Sequence, residues 1–219
     1  MADPLPSDPE RALALTYAPP GSRRAFAALL ALDDRLGTIV RTTREPLVGQ
    51  MRFTWWHAAL ASLESGPIPA EPLLQELAGE AVTHAPGAAL ATMVEGWEAL
   101  LEPDLDEVSL NVHAERRGEG LFAALGAVCG AAPLVPRAAG RGWALADLSR
   151  HLRDPLLQQR ARVMACDALS ETTATHWPPA LRAVGALTQT ARMDLVPSPR
   201  PHGHPARTAR LLWLRLSGR

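Results

Sequence analysis

The chain has 219 residues, with 22 basic and 23 acidic side chains, a formal net charge of −1 at pH 7, and two cysteines. That length can bury a full core without disulfide or metal staples, and the near-zero charge excludes a dedicated nucleic-acid binder, which needs a net positive face. No apolar run approaches the roughly 18 residues of a membrane span; Leu121 to Pro136 comes nearest and is broken by glycines and prolines.

Every basic residue is arginine and alanine is abundant, a bias that points to a G+C-rich bacterial genome. Cys129 and Cys166 lack paired spacing and no signal peptide opens the chain, so two free thiols in a reducing, cytoplasmic compartment are expected. Residues 1–9 are rich in proline and aspartate and read as a disordered end. Residues 10–219 read as one helical domain.

A short segment from Arg11 to Tyr17 runs into the turn Ala18-Pro19-Pro20-Gly21, after which Ser22 is placed to cap a helix. Phe26, Leu29, Leu30, Leu32, Leu36, Ile39 and Val40 keep that helix to a 3.6-residue period. Thr42 or Thr43 can cap the next helix, Glu45 suits its positive N-terminal end, and Pro46 fits its first turn. Leu47, Met51, Trp55, Ala59 and Leu63 then fall at four-residue steps, with Val48, Trp56 and Leu60 beside them, and predict an inward stripe. The Trp55-Trp56 pair reads as core, with lipid contact as the competing use.

Leu73, Leu74, Leu77 and Ala81 mark a further helix, and Leu90, Met93, Val94, Trp97, Leu100 and Leu101 give the clearest amphipathic pattern, closed by Pro103. Asp106 starts a helix towards Arg116-Arg117-Gly118, and Leu121 to Cys129 is apolar enough to be buried. Gly142 to Leu152 reads as a helix ending before Pro155, Pro178-Pro179 opens another, and Leu211, Leu212, Leu214 and Leu216 lie on a last one. The acidic middle and the arginine-rich tail read as solvated helix faces. His202-Gly203-His204 lies in a proline-rich loop and reads as solvated rather than metal-bound. No stretch alternates with period two, so the fold class is all-α, a single-domain bundle of roughly eight helices.

Read in order, Arg44-Glu45-Pro46-x-x-Gly49-x-x-Arg52-x-x-Trp55-Trp56, Val94-Glu95-Gly96-Trp97-Glu98, Val112-x-Ala114-Glu115-Arg116-Arg117-x-x-x-Leu121 and Leu148-Ser149-x-x-Leu152-Arg153-Asp154 resemble the squalene/phytoene synthase family over residues 10 to 215. Glu45-Pro46, Gly49, Arg52 and Trp55-Trp56 are most similar to a divergent branch containing bacterial relatives of a mitochondrial complex I assembly factor. The resemblance implies an isoprenoid-synthase-like helical bundle. It also implies that active members join two prenyl diphosphates head to head, using Mg²⁺ held by two facing aspartate-rich helices. Carboxylates four apart share one helical face, where they can hold a hard cation against a departing diphosphate.

Here that clamp is incomplete. Aligning the first motif on Leu30-Ala31-Leu32 puts Gly37 and Arg41 where the spaced aspartates belong, and Leu157 and Gln158 replace the acidic pair after Asp154. Asp33 and Asp34 are adjacent, hence about 100° apart on a helix, and suit pairing with Arg35 or Arg52 better than a metal. No catalytic and no metal-binding residue is therefore assigned. Asp33, Asp34, Arg41, Arg44, Arg52 and Asp154 remain as candidate diphosphate or cavity residues. The expectation is a non-catalytic pseudoenzyme, binding an isoprenoid or lipid or scaffolding a respiratory complex through a protein partner. It would be cytoplasmic or peripheral to the inner membrane. The alternative is an active prenyl transferase in which Arg41, Arg44 and Arg52 grip the diphosphate and Asp33, Asp34 and Asp154 hold the remaining Mg²⁺.

Overall fold

A computed structural model describes residues 8–102 and 104–219, so the expectations for residues 1–7 and for Pro103 lie outside the described residues, while Asp8 and Pro9, expected in the loose end, cap and open the first helix. Among the described residues there are ten helices, joined by turns and short 3₁₀ segments, and no strand. They are α1 (Pro9–Thr16), α2 (Arg23–Thr42), α3 (Pro46–Ala61), α4 (Pro72–Glu80), α5 (Gly87–Glu98), α6, α7 (Arg137–Ser149), α8 (Pro155–Ser170), α9 (Arg182–Asp194) and α10 (Pro205–Ser217). Helix α6 runs continuously through α-helical Glu107–Val112, a π-helical stretch His113–Glu119 and α-helical Gly120–Val128.

Several local expectations change. Thr42 and Thr43 end α2 instead of capping α3, whose N-cap is Glu45; Pro46 takes the first turn as the sequence suggests. Ser22 stands at the N-cap of α2 but spends its hydroxyl on the Val128 carbonyl at 2.7 Å. Asp154 does not close a helix. It starts one, its carboxylate accepting from the Leu156 N–H at 2.8 Å with Pro155 at the first position, so α8 is an element the apolar pattern did not announce. The preceding helix, α7, begins at Arg137 and stops at Ser149.

The larger correction concerns α3. Its buried side is Gly49, Phe53, Trp56, Ala59 and Leu60, whereas Leu47 (68 %), Met51 (66 %) and Trp55 (47 %) are exposed. The helix is apolar on nearly opposite faces, and the one that packs on α5 is not the four-residue stripe read from Leu47.

In the centre, α2 and α5 pack against α6, and α6 against α7, around Phe26, Leu29, Leu36, Leu90, Phe122 and Leu125, all at most 1 % exposed. Glycine allows the tightest contact: a Cβ on Gly118 or Gly140 would run into the other residue's carbonyl oxygen, so only hydrogen there lets α6 and α7 meet backbone to backbone. The ends of the chain are tied by charge. Arg207 of α10 donates from Nε and Nη2 to the two carboxylate oxygens of Glu10, each at 2.6 Å, and its Nη2 lies 2.7 Å from Asp194. His202, expected in a solvated loop, sits between Asp8 and Asp194 at 3.0 and 3.2 Å, and Arg207 is buried rather than part of a solvated basic face.

Candidate functional site

The polar centre of the bundle is built from four helices. Helix α2 supplies Asp33, the π stretch of α6 supplies His113 and Arg117, α7 supplies Asp147, and α1 supplies Arg11. Arg117 is 1 % exposed and grips Asp33 with both arms, Nε to Oδ1 at 2.7 Å and Nη2 to Oδ2 at 2.9 Å. Nη2 also donates to Asp147 Oδ2 at 2.7 Å. The guanidinium lies between two indole rings, 4.1 Å from the Trp97 centroid and 4.6 Å from that of Trp143. Trp97 in turn donates from Nε1 to Asp33 Oδ1 at 3.2 Å. A planar, always-charged fork that can pair bidentately and stack on aromatic faces is what this slot requires, and lysine could not fill it.

His113 completes the network and its tautomer is fixed by its neighbours. Nδ1 lies 2.7 Å from the Gly96 carbonyl oxygen, which can only accept, so Nδ1 carries the proton. Nε2 is then a lone pair facing Arg117 Nη1 at 3.2 Å. Burial, and secondarily the Arg117 charge, push the imidazole down to about 3, so the ring is neutral at physiological pH. Burial by itself would lower Arg117 and raise Asp147. The carboxylates of Asp33 and Asp147 override it at the arginine, and Arg117 and Arg11 override it at Asp147, so both stay charged. Asp34 shows the opposite balance: burial raises it, and Arg11 only partly offsets this although its Nη1 is 2.6 Å from Oδ1. Asp33 and Asp34 thus pair with Arg117 and Arg11, not with Arg35 or Arg52; Arg35 instead reaches Glu71 at 3.4 Å.

Beside this cluster lies a cleft of about 960 Å³ between the end of α2, the segment after α5 and the α7–α8 junction. Among the described residues, Arg41, Arg44, Arg153, His151 and Asp154 line it with Asp147, Glu102 and Asp104. Val40, Leu100, Leu105, Leu148, Leu152 and Leu157 give it apolar wall. A recess of about 210 Å³, lined by Asp33, Asp34, Arg11 and Arg150, shares Arg41, Trp97, Arg117, Asp147 and His151 with the cleft. Of the six residues singled out from sequence, Arg41, Arg44 and Asp154 line the cleft, and Asp33, Asp34 and Arg41 line the recess. Arg52 lines neither; it is exposed on α3, with Nη1 3.5 Å from Thr43 Oγ1. Arg117, Asp147, His113 and Arg11, which the sequence reading left out of the site, hold its centre. The available signal was weak: Arg116-Arg117 stands among His113, Glu115 and Glu119, where a solvated helix face is the ordinary reading.

These donors do not suit Mg²⁺. Asp33, the best-placed carboxylate of α2, already has both oxygens bonded to Arg117. At Gly37, where a second carboxylate would stand, even a Cβ would come within 2.8 Å of the Trp97 ring and 2.9 Å of the Arg41 guanidinium. Asp154 spends an oxygen on the α8 cap, and no group of three His, Cys, Asp or Glu among the described residues is placed to hold a metal.

A family model described as squalene/phytoene synthase matches residues 6–154. The match stops at the α7–α8 junction and so does not extend over α8, α9 and α10, where the sequence resemblance had been carried to residue 215. No curated protein and no solved structure matches the chain.

Proposed function

Since the chain belongs to the squalene/phytoene synthase family, we propose that it keeps the family's helical bundle as a binding scaffold and has given up Mg²⁺-dependent condensation. The observation that carries this reading is Arg117. It occupies the space between α2 and α7 and neutralises, as a permanent internal cation, the carboxylates a metal would otherwise meet. The ligand class is an amphiphile with an anionic head and an isoprenoid or quinone-like tail. Arg41, Arg44 and Arg153 would receive the head, and Val40, Leu100, Leu105, Leu152 and Leu157 the tail. No proton or bond is transferred. Such a scaffold could present its lipid to a partner protein of a respiratory complex, the role implied by the branch that the motif around Trp55-Trp56 resembles.

The test is titration of farnesyl diphosphate by calorimetry with Mg²⁺ and with chelator, alongside a product assay. The expected result is binding that is indifferent to Mg²⁺, weakened about tenfold or more by Arg41→Gln with Arg44→Gln, and no condensed product. Mg²⁺-dependent turnover that Asp154→Asn abolishes, a substitution that can keep the α8 cap, would establish the active-transferase alternative instead.

A further inference from the structure

The exposed side of α3 is apolar. Leu47, Val48, Met51 and Trp55 form an apolar strip along it, 68, 39, 66 and 47 % exposed. From Pro46 to Ala61 the helix contains no carboxylate; Arg52 and the titratable His57 are its only ionisable side chains. Arg44 lies two residues before it, and the acids beside it are Glu45 at the cap and Glu95 of α5, which is 3.8 Å from His57 and 3.4 Å from Arg116. Neither Arg44 nor Arg52 forms an ion pair among the described residues, as Arg24, Arg35, Arg116 and Arg160 do and Arg210 and Arg215 of α10 do not. An apolar strip containing a tryptophan, on a helix without carboxylates and edged by two arginines that have no ion pair, complements a bilayer surface carrying anionic headgroups.

We infer that the Leu47–Met51–Trp55 face of α3 docks the protein on an anionic lipid bilayer. The opposite face of α3 is held in the core by Phe53, Trp56 and Leu60, so the helix does not leave the bundle. Only side chains enter the interfacial region, with Arg44 and Arg52 meeting phosphate oxygens. Thr43 and Arg44 also line the cleft, so the docked molecule turns the cleft mouth towards the lipid. Arg44 is shared with the cleft, so Arg52, which lines neither the cleft nor the recess, is the arginine that separates docking from ligand binding.

The experiment is cosedimentation of the full chain with vesicles of phosphatidylcholine, with and without about 30 % phosphatidylglycerol. Binding is expected on the anionic vesicles and should fall with added salt. Leu47→Ser with Met51→Ser and Trp55→Ser should weaken it at least about tenfold while circular dichroism stays unchanged, since these side chains are exposed. Arg44→Gln and Arg52→Gln should each cost about fivefold on anionic vesicles and nothing on neutral ones. Helix α10 has its own exposed set, Leu212, Trp213 and Leu216, and replacing those three by serine should leave binding intact. No cosedimentation, loss through the α10 set in place of the α3 set, or a dimer in solution that the α3 substitutions dissociate would overturn the inference; the last would assign the strip to a second copy of the chain.

Discussion

Replacing Arg117 by methionine removes the cation hydrogen-bonded to both Asp33 and Asp147 while keeping an unbranched apolar stem between the Trp97 and Trp143 rings. Asp33, 1 % exposed, would retain only the Trp97 N–H at 3.2 Å and a distant Arg11 at 3.7 Å. A buried carboxylate stripped of its partner costs about 3–5 kcal/mol. The lost cation–π contacts, about 0.5–2 kcal/mol each, are partly replaced by sulfur–aromatic contacts of similar size. The net expectation is about 3–5 kcal/mol, or roughly 6–20 °C in Tm for a chain of this length. Urea unfolding at pH 7, followed by circular dichroism and compared at equal m-value, measures it. Adding Asp33→Asn and Asp147→Asn should restore most of the stability, because the cost lies in the unpaired charges and not in the absent side chain. A single-variant loss below about 1 kcal/mol would refute this account of the core.

Other consequences are as direct. His113 is neutral when folded, down at about 3, but takes a proton near 6.5 when unfolded, so the unfolded chain binds more protons between those values. Stability should therefore fall as pH drops from about 6.5 towards 3, by at most about 1.4 kcal/mol per unit, and His113→Gln should flatten that limb of a pH–denaturation profile. Asp147 is held below its ordinary value of 3.8, so its stabilising charge is present above that value and is lost as pH falls beneath it; Arg117→Met should move this acid limb to higher pH. Gly37→Asp, which restores the family's carboxylate on paper, should destabilise by about 1–3 kcal/mol through overlap with Trp97 and create no Mg²⁺ binding detectable by calorimetry. Arg207→Leu strips Glu10 of its ion pair, while Asp194 keeps Arg150 and His202, and hydrogen exchange should show α1 and α10 opening together.

Periodicity located most helices because each depends on residues three or four apart, and the caps at Asp106 and the proline at position 46 lie where local rules put them. The same rules missed α8, whose buried positions are only Ala161, Ala165 and Leu169, too little apolar bulk to stand out against Arg160, Arg162 and Gln158–Gln159. They also misplaced α3, because a helix apolar on two faces gives no local reason to prefer one of them.

What the sequence by itself determined is the all-α class, the family motifs and the broken carboxylate pattern at Gly37, Arg41, Leu157 and Gln158. All of these are readable from residue types at fixed short spacing. What only the tertiary structure decided is where the charges go. Arg117 meets Asp33 across 84 positions and Asp147 across 30, and no helical period links such distant residues. Packing alone put a fixed guanidinium into the centre of the bundle and left Leu47, Met51 and Trp55 outside it.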